Sequence, residues 1–328
     1  MKRQIRIVYM GTPQFAVEPL KAILRKGYDV AAVVTSPDKP AGRGLLPQQS
    51  AVKQFALANG LPVLQPLSLK DPIFIEQLRS FHANLQVVVA FRMLPEVVWQ
   101  MPKLGTFNLH ASFLPQYRGA APINHAIING ETETGITTFM LKHEIDTGDI
   151  LMSERHLIFP DDTAGDLHDR LMVAGANLVV QTIESIENDS FQPVLQSFSG
   201  NGEVLKTAPK ILKEHCLIHW DMPAENARNL IRGLSPVPGA FTILESPEGV
   251  KMNLKIFRAH IDNCPTTSKP GTIYTDSVKE IKIACTDAWL VIDELQLQGK
   301  KRMKTDELLR GFRIDNNWKT FDFVEKEG

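Results

Sequence analysis

Cysteine is scarce: the 328 residues contain three, Cys216, Cys264 and Cys285, an odd number at wide spacing. That excludes a disulfide framework and a zinc knuckle, and it fits a reducing cytoplasm. No apolar run approaches the roughly 20 residues that a membrane-spanning helix needs. The start, Met1-Lys2-Arg3-Gln4-Ile5-Arg6, leads straight into a strand pattern and lacks the apolar core and small-residue cleavage site of a secretory leader. Internal repeats and low-complexity tracts are missing. The first strand ends in Gly11-Thr12-Pro13 without Gly-x-Gly-x-x-Gly, and Asp29 precedes the second strand instead of following it. Dinucleotide binding at this turn is therefore rejected. His143-Glu144 has no histidine at the His-Glu-x-x-His spacing, so no metal is expected there.

What is present is ordinary for a folded enzyme-sized chain. Hydrophobic residues at 43% and charged residues at 22% support a real core, and the length favours two domains. The net charge of −1 hides an uneven distribution. Residues 1–60 hold nine Lys and Arg against three Asp and Glu, residues 61–204 eight against seventeen, and the remainder nineteen against seventeen. A basic start and a mildly basic end around an acidic middle let a polyanion lie across selected surfaces.

The chain opens strand, helix, strand. Ile5–Met10 is apolar, Phe15, Val17, Leu20, Ile23 and Leu24 recur at helical spacing, and Val30–Val34 is apolar again. This is the signature of a parallel sheet with crossover helices. Ser36 to Ser50 is then too long for an ordinary connection in such a fold. It carries Lys39, and Arg43 between two glycines, where the backbone lets the guanidinium lead toward a phosphate or base. Helical patterns follow at 51–59 and from Pro72, and Leu85–Phe91 reads as a central strand buried on both faces. Further strands are expected at 135–141 and 150–158, and Asp162-Thr163 caps a long helix to about Ile186.

Thr106 to Gly119 is the most informative stretch. Thr106 to His110 alternates polar and apolar residues, so Asn108 and His110 project from one face of a strand. Pro115 and Gly119 then end regular structure. A second candidate lies in 142–149, where Asp146-Thr147-Gly148 forms a tight turn toward the carboxyl edge of the sheet. Glu144, Asp146 and Asp149 are alternative acids there. From 190 to 208 the pattern fades into a linker. Beyond it, one helix and five short strand-like runs predict a small β-barrel of the oligonucleotide-binding (OB) type. Lys300-Lys301-Arg302 and Lys304 form a basic cluster near its end, whose simplest reading is a solvated face.

Four blocks in order, 37–44, 108–123, 129–137 and 144–151, resemble the folate-dependent formyltransferases. The matching text includes Asn-Leu-His-Ala-Ser-Phe-Leu-Pro-Gln-Tyr-Arg-Gly from Asn108 and Glu-Ile-Asp-Thr-Gly-Asp-Ile-Leu from Glu144. The resemblance implies a Rossmann-like formyltransferase domain at 1–189, a linker at 190–208 and an OB-like tRNA-binding domain at 209–328. It implies Asn108, His110 and Asp146 as the catalytic triplet, with 10-formyltetrahydrofolate as formyl donor. Ser112, Phe113, Leu114, Pro115, Arg92, Met93 and Leu94 are then the folate-binding residues. The basic loop and the second domain point to the branch that formylates initiator methionyl-tRNA, with Arg43, Lys39, Lys206 and Lys210 as tRNA contacts. A soluble cytoplasmic monomer without a metal is expected. A formyltransferase acting on a sugar nucleotide or other small amine, a formyl-folate hydrolase, and a tRNA-binding protein with a vestigial α/β domain are the rivals. The chain departs from the family pattern at Phe113, at Leu45-Leu46 after the Gly-Arg-Gly loop, and at Phe91-Arg92 after the central strand.

Overall fold

Apolar strands alternating with amphipathic helices build the first part of the computed structural model, which describes residues 3–41, 46–196 and 204–321. Two compact units form: Met1–Gly119, Thr134–Leu157 and His168–Thr207 in one, Ala120–Glu133, Ile158–Leu167 and Ala208–Gly328 in the other.

In the first unit β1 (Arg6–Gly11), α1 (Val17–Arg25), β2 (Asp29–Val34), α2 (Ala51–Ala58), β3 (Val63–Leu64), α3 (Pro72–Ser80), β4 (Leu85–Val89), α4 (Glu96–Trp99) and β5 (Thr106–His110) follow one another. After α5 (Pro122–Ile128) come β6 (Glu133–Met140), β7 (Ile150–Leu157) and α6 (Ala164–Glu187). The sheet order is β7-β6-β5-β4-β1-β2-β3. From β3 to β5 every neighbouring pair is parallel, as the strand–helix alternation predicts. β6 runs antiparallel to β5 at one side of this otherwise parallel run. A parallel neighbour needs a crossover that packs back over the sheet. Here α5, which lies between β5 and β6 in the chain, belongs to the other compact unit.

Local chemistry sets the helix starts. Ser50 accepts the Lys53 N–H at 3.0 Å, and Asp71 accepts the Ile73 N–H at 3.0 Å with Pro72 at the first helical position. Thr163 and Asp166 bond each other reciprocally at the start of α6, a capping box. The long loop after β2 is not plain coil: Lys39–Ala41 pairs antiparallel with Leu46–Gln48. The linker is also not free of structure, since Val194 and Ile150 exchange two backbone hydrogen bonds of 2.8 Å.

In the second unit α7 (Ala224–Leu234) precedes β8 (Ala240–Glu245), β9 (Lys251–Pro265), β10 (Ile273–Thr275), β11 (Ile281–Ala284) and β12 (Ala288–Leu297). β13 (Met303–Lys304), α8 (Thr305–Leu309) and β14 (Lys319–Thr320) complete it. The order is β10-β11-β12-β9-β8-β14, and a bridge between Thr272 and Lys319 brings the two edges together. The sheet is thus a nearly closed barrel, which leaves little unpaired edge. Trp220, Ile231, Leu254, Ile256 and Ile283 lie in its core, and the Trp220 Nε1–H donates to Thr242 Oγ1 at 3.1 Å. Fully burying an aliphatic side chain of this size stabilises the fold by about 1.5–3 kcal/mol. Arg302, in the exposed basic cluster, also grips Glu294 through two hydrogen bonds of 2.7 and 2.6 Å.

Candidate active site

β5 is placed by its apolar face. Phe107 and Leu109 are buried, and α6 passes so close that a Cβ on Gly175 would lie 2.7 Å from Leu109. The opposite face therefore carries Asn108 and His110 toward β6, whose Phe139 packs edge-on against the imidazole at 6.5 Å. The Asn108 amide is half-buried and has no side-chain hydrogen-bond partner among the described residues. It is a donor left available.

His110 is 6% exposed, and its Nε2 lies 2.9 Å from the Tyr117 carbonyl. A carbonyl only accepts, so Nε2 carries a proton and donates it. Nδ1 is left to face Asp146, 3.9 Å from Oδ2. That separation is an ion-pair distance and not a hydrogen bond, so the coupling is electrostatic and strongest when the ring is charged. Oδ2 of Asp146 accepts the backbone N–H of Gly119 at 3.0 Å. Asp146 itself sits at φ +54°, in the left-handed region that few residues other than glycine occupy.

The loop between β6 and β7 presents Asp146 and not its acidic neighbours. Asp149 is paired with Lys142 at 2.7 Å, and Glu144 points to solvent. Gly148 is wedged against β6, where a Cβ would stand 1.6 Å from the Met140 carbonyl. Gln196 then fastens the turn: its amide donates to the carbonyls of Asp146 at 2.9 Å and Gly148 at 2.7 Å. Its oxygen accepts from Arg118 Nε at 3.1 Å and Nη2 at 2.6 Å. Tyr117, Arg118, Gly119 and Gln196 are thus parts of the site that the sequence reading did not single out. Tyr117 and Gly119 stood inside the motif but act through backbone groups, Arg118 acts through its guanidinium, and Gln196 lay in a stretch read as a linker.

The residues expected to line a folate cleft divide into two kinds. Ser112 is fully buried, its hydroxyl donating to Gln116 O at 2.6 Å and its carbonyl accepting from Thr137 Oγ1 at 2.7 Å. Leu114 is also buried, Phe113 packs at Gly135 with the Arg155 guanidinium 4.1 Å above its ring, and Pro115 is half-buried. This loop shapes the wall by packing. Arg92 hydrogen-bonds the carbonyls of Pro66 and Leu67, and its Nε is buried with no partner among the described residues. Burial draws its guanidinium below the ordinary arginine range. Leu94 is buried, whereas Met93 is exposed, as is Leu67 at the other end of the Arg92 tether. Among the intended tRNA contacts, Lys39, Lys206 and Lys210 are exposed, and Arg43 lies outside the described residues. Leu45 also lies outside them.

The arrangement combines a free amide donor, an imidazole and a carboxylate at the carboxyl end of a central strand. It can polarise a carbonyl oxygen and take up a proton from an attacking group. Among the described residues no group of three or more His, Cys, Asp or Glu is placed to hold a metal ion, and no helix is long and apolar enough to cross a membrane.

Residues 4–183 match the formyl transferase family model and residues 210–313 match the formyl transferase C-terminal domain model. The chain belongs to the formyl transferase family. This formyl transferase is 54% identical over 318 residues to the methionyl-tRNA formyltransferase of Bacteroides thetaiotaomicron, covering 97% of this chain and 99% of that protein. It is 48% identical over 318 residues to the methionyl-tRNA formyltransferase of Flavobacterium johnsoniae, covering 97% and 99%. Among solved structures, WlaRD, a sugar 3N-formyl transferase crystallised with dTDP and 5-N-formyl-THF, shares the fold. That match has TM-score 0.61 and 22% identity over 91% of this chain and 100% of that one. HypX from Aquifex aeolicus, in complex with tetrahydrofolic acid, matches with TM-score 0.64 at 14% identity, over 98% of this chain and 51% of that chain.

Proposed function

We propose that this formyl transferase moves the formyl group of 10-formyltetrahydrofolate to the α-amino group of initiator methionyl-tRNA. The observation that carries the chemistry is the unpartnered Asn108 amide beside His110, whose Nδ1 faces the Asp146 carboxylate at 3.9 Å. The observation that favours this acceptor is the near-full-length identity of 54% to a methionyl-tRNA formyltransferase.

Attack of the amine on the formyl carbon gives a tetrahedral centre whose oxygen gains negative charge. Asn108 offers an N–H where that charge develops, and such a donor is worth ~10²–10³ in turnover. The attacking nitrogen must lose a proton. The His110–Asp146 pair receives it: Nδ1 is the nitrogen left without the Tyr117 bond, and the carboxylate stands beside it at 3.9 Å. No side chain needs to act as a nucleophile, because the amine attacks directly; the tetrahedral centre then collapses with cleavage of its bond to N10, and the imidazolium returns the proton to that nitrogen as tetrahydrofolate leaves. The donor fits at the sheet edge against Arg92-Met93-Leu94 and the wall built by Ser112 to Pro115. Exposed Met93 and Leu67 offer apolar surface, and the buried Nε of Arg92 is a polar group still unsatisfied among the described residues. Arg43, Lys39, Lys206 and Lys210 are the phosphate contacts in this reading. The division at 1–189, 190–208 and 209–328, a monomeric state and a cytoplasmic location belong to the same proposal.

The deciding experiment incubates the protein with 10-formyltetrahydrofolate and, separately, methionyl initiator tRNA, a dTDP-amino sugar or no acceptor. Formyl-methionyl-tRNA is the expected product. Transfer to the sugar, or formate release without an acceptor, in place of that product would replace this reading with one of its rivals.

A further inference from the structure

We propose that Gln196 is a positioning residue for the Asp146 carboxylate, holding the site's acid from a segment outside both catalytic motifs. The inference rests on the transfer chemistry proposed above and concerns how one chain assembles it.

The carboxamide of Gln196 is used to capacity. Its two N–H groups go to the carbonyls of Asp146 and Gly148, 2.9 and 2.7 Å away, and its oxygen takes both Arg118 bonds. Arg118 is followed by Gly119, whose N–H binds Asp146 Oδ2 at 3.0 Å. A closed ring results, running from Gln196 through Arg118 and Gly119 to Asp146 and back to Gln196. Asp146 needs such a ring. At φ +54° it holds a conformation that persists only where the surroundings over-determine it. The ring fixes both of its ends, carbonyl and carboxylate, against two different segments.

Gln196 is itself fixed. Two residues upstream, Val194 exchanges two 2.8 Å backbone bonds with Ile150 at the start of β7. Downstream, Lys206 donates its N–H to Gln116 Oε1 at 2.9 Å and accepts the Tyr117 N–H at 2.7 Å. Tyr117 O is the acceptor of His110 Nε2. The segment therefore grips 116–119 at two points, one serving the imidazole and one serving the acid. A merely structural glutamine would have no reason to bond the residues on both sides of Thr147 as well as Arg118.

The test uses the full chain with Gln196→Ala and Gln196→Glu. Glutamate keeps the size and the acceptor for Arg118 but loses both donors to the loop. In single-turnover transfer to methionyl-tRNA at saturating donor, each variant is expected to fall by about 10–10²-fold, because a small misplacement of a catalytic group costs that much. KM for both substrates should stay unchanged. In an Asp146→Asn background the Gln196 substitutions should add almost nothing, since no carboxylate remains to be misplaced. Hydrogen exchange of peptide 142–149 should accelerate in Gln196→Glu while other regions stay as in the parent. An equal loss in the Asp146→Asn background, or parent-like turnover and exchange, would overturn the proposal. Where Gln196→Ala fails to fold, Gln196→Glu and Arg118→Lys carry the same comparison. A parent protein inactive on methionyl-tRNA refutes the function, and the exchange measurement still decides the positioning role.

Discussion

Oδ2 of Asp146 accepts the Gly119 backbone N–H at 3.0 Å and stands 3.9 Å from Nδ1 of His110. The carboxylate is thus aimed by main chain and coupled to the imidazole by charge. The Gly119 N–H is a main-chain donor, so it holds the carboxylate whatever the protonation of the ring. The acid is in place before a proton reaches the site.

Asp146→Asn separates these two roles. Asparagine retains an acceptor for Gly119 but places no charge beside the ring. Turnover is expected to fall by about 10²–10⁴ with little loss of folding stability. Single-turnover formylation beside a thermal melt measures both, and near-parent turnover would remove Asp146 from the mechanism.

Asn108→Ala tests the free amide. The side chain has no hydrogen-bond partner among the described residues, so its removal leaves no protein group unsatisfied. Stability should change by less than about 1 kcal/mol in urea unfolding. The formylation rate should fall by ~10²–10³ while donor affinity holds. A variant that loses stability but not rate would mark Asn108 as structural.

Gly148→Ala tests the loop from the other side. The new Cβ would meet the Met140 carbonyl at 1.6 Å, a backbone atom that cannot move without shifting β6 or the turn. The turn is the weaker of the two, so Asp146 moves. Turnover is expected to drop by at least about tenfold, since reacting groups tolerate little displacement. An alanine variant with parent kcat would show that the loop has freedom this packing denies.

The second unit carries a pH-dependent contribution to stability. The Asp276 carboxylate accepts backbone N–H groups from Lys279, Glu280 and Val278, which hold its pKa down to about 2. The folded value lies below the unfolded one, so this stabilisation is fully present above about pH 4 and is lost as pH falls. Asp276→Ala should therefore be less stable than the parent at neutral pH. The gap should close between about pH 4 and about pH 2 in denaturant unfolding followed across that range. A gap independent of pH would mean that the turn, and not the charge, is what the substitution disturbs.

Residues near each other in the chain were legible from the start. Alternation across Thr106 to His110 set Asn108 and His110 on one face because strand side chains repeat every two residues. Asp71-Pro72 and Asp162-Thr163 announced helix starts because caps are local hydrogen bonds. The acid was less legible. Residue types alone left Glu144, Asp146 and Asp149 open, and the family resemblance chose Asp146. In the fold Asp149 is paired with Lys142, Glu144 lies in solvent, and Asp146 stands 3.9 Å from His110. Arg92 stood out in sequence as a departure from the family pattern, and only its bonds to the Pro66 and Leu67 carbonyls explain what it does. β14 escaped notice because two residues carry no periodicity, although it helps to close the barrel.

The sequence by itself determined most element types and the shared strand face of the amide and the imidazole. Those depend on propensity and on spacings of two to four residues. Tertiary structure decided the reversal of β6, the ring around Asp146 and the acceptor for His110. Each of these has main-chain N–H or C=O groups among its partners, joining Gly119 to Asp146 across 27 residues and Gln196 to Asp146 across 50. Every residue but proline offers the same backbone pair. Such bonds leave no mark in residue identity, and only folding reveals which of them form.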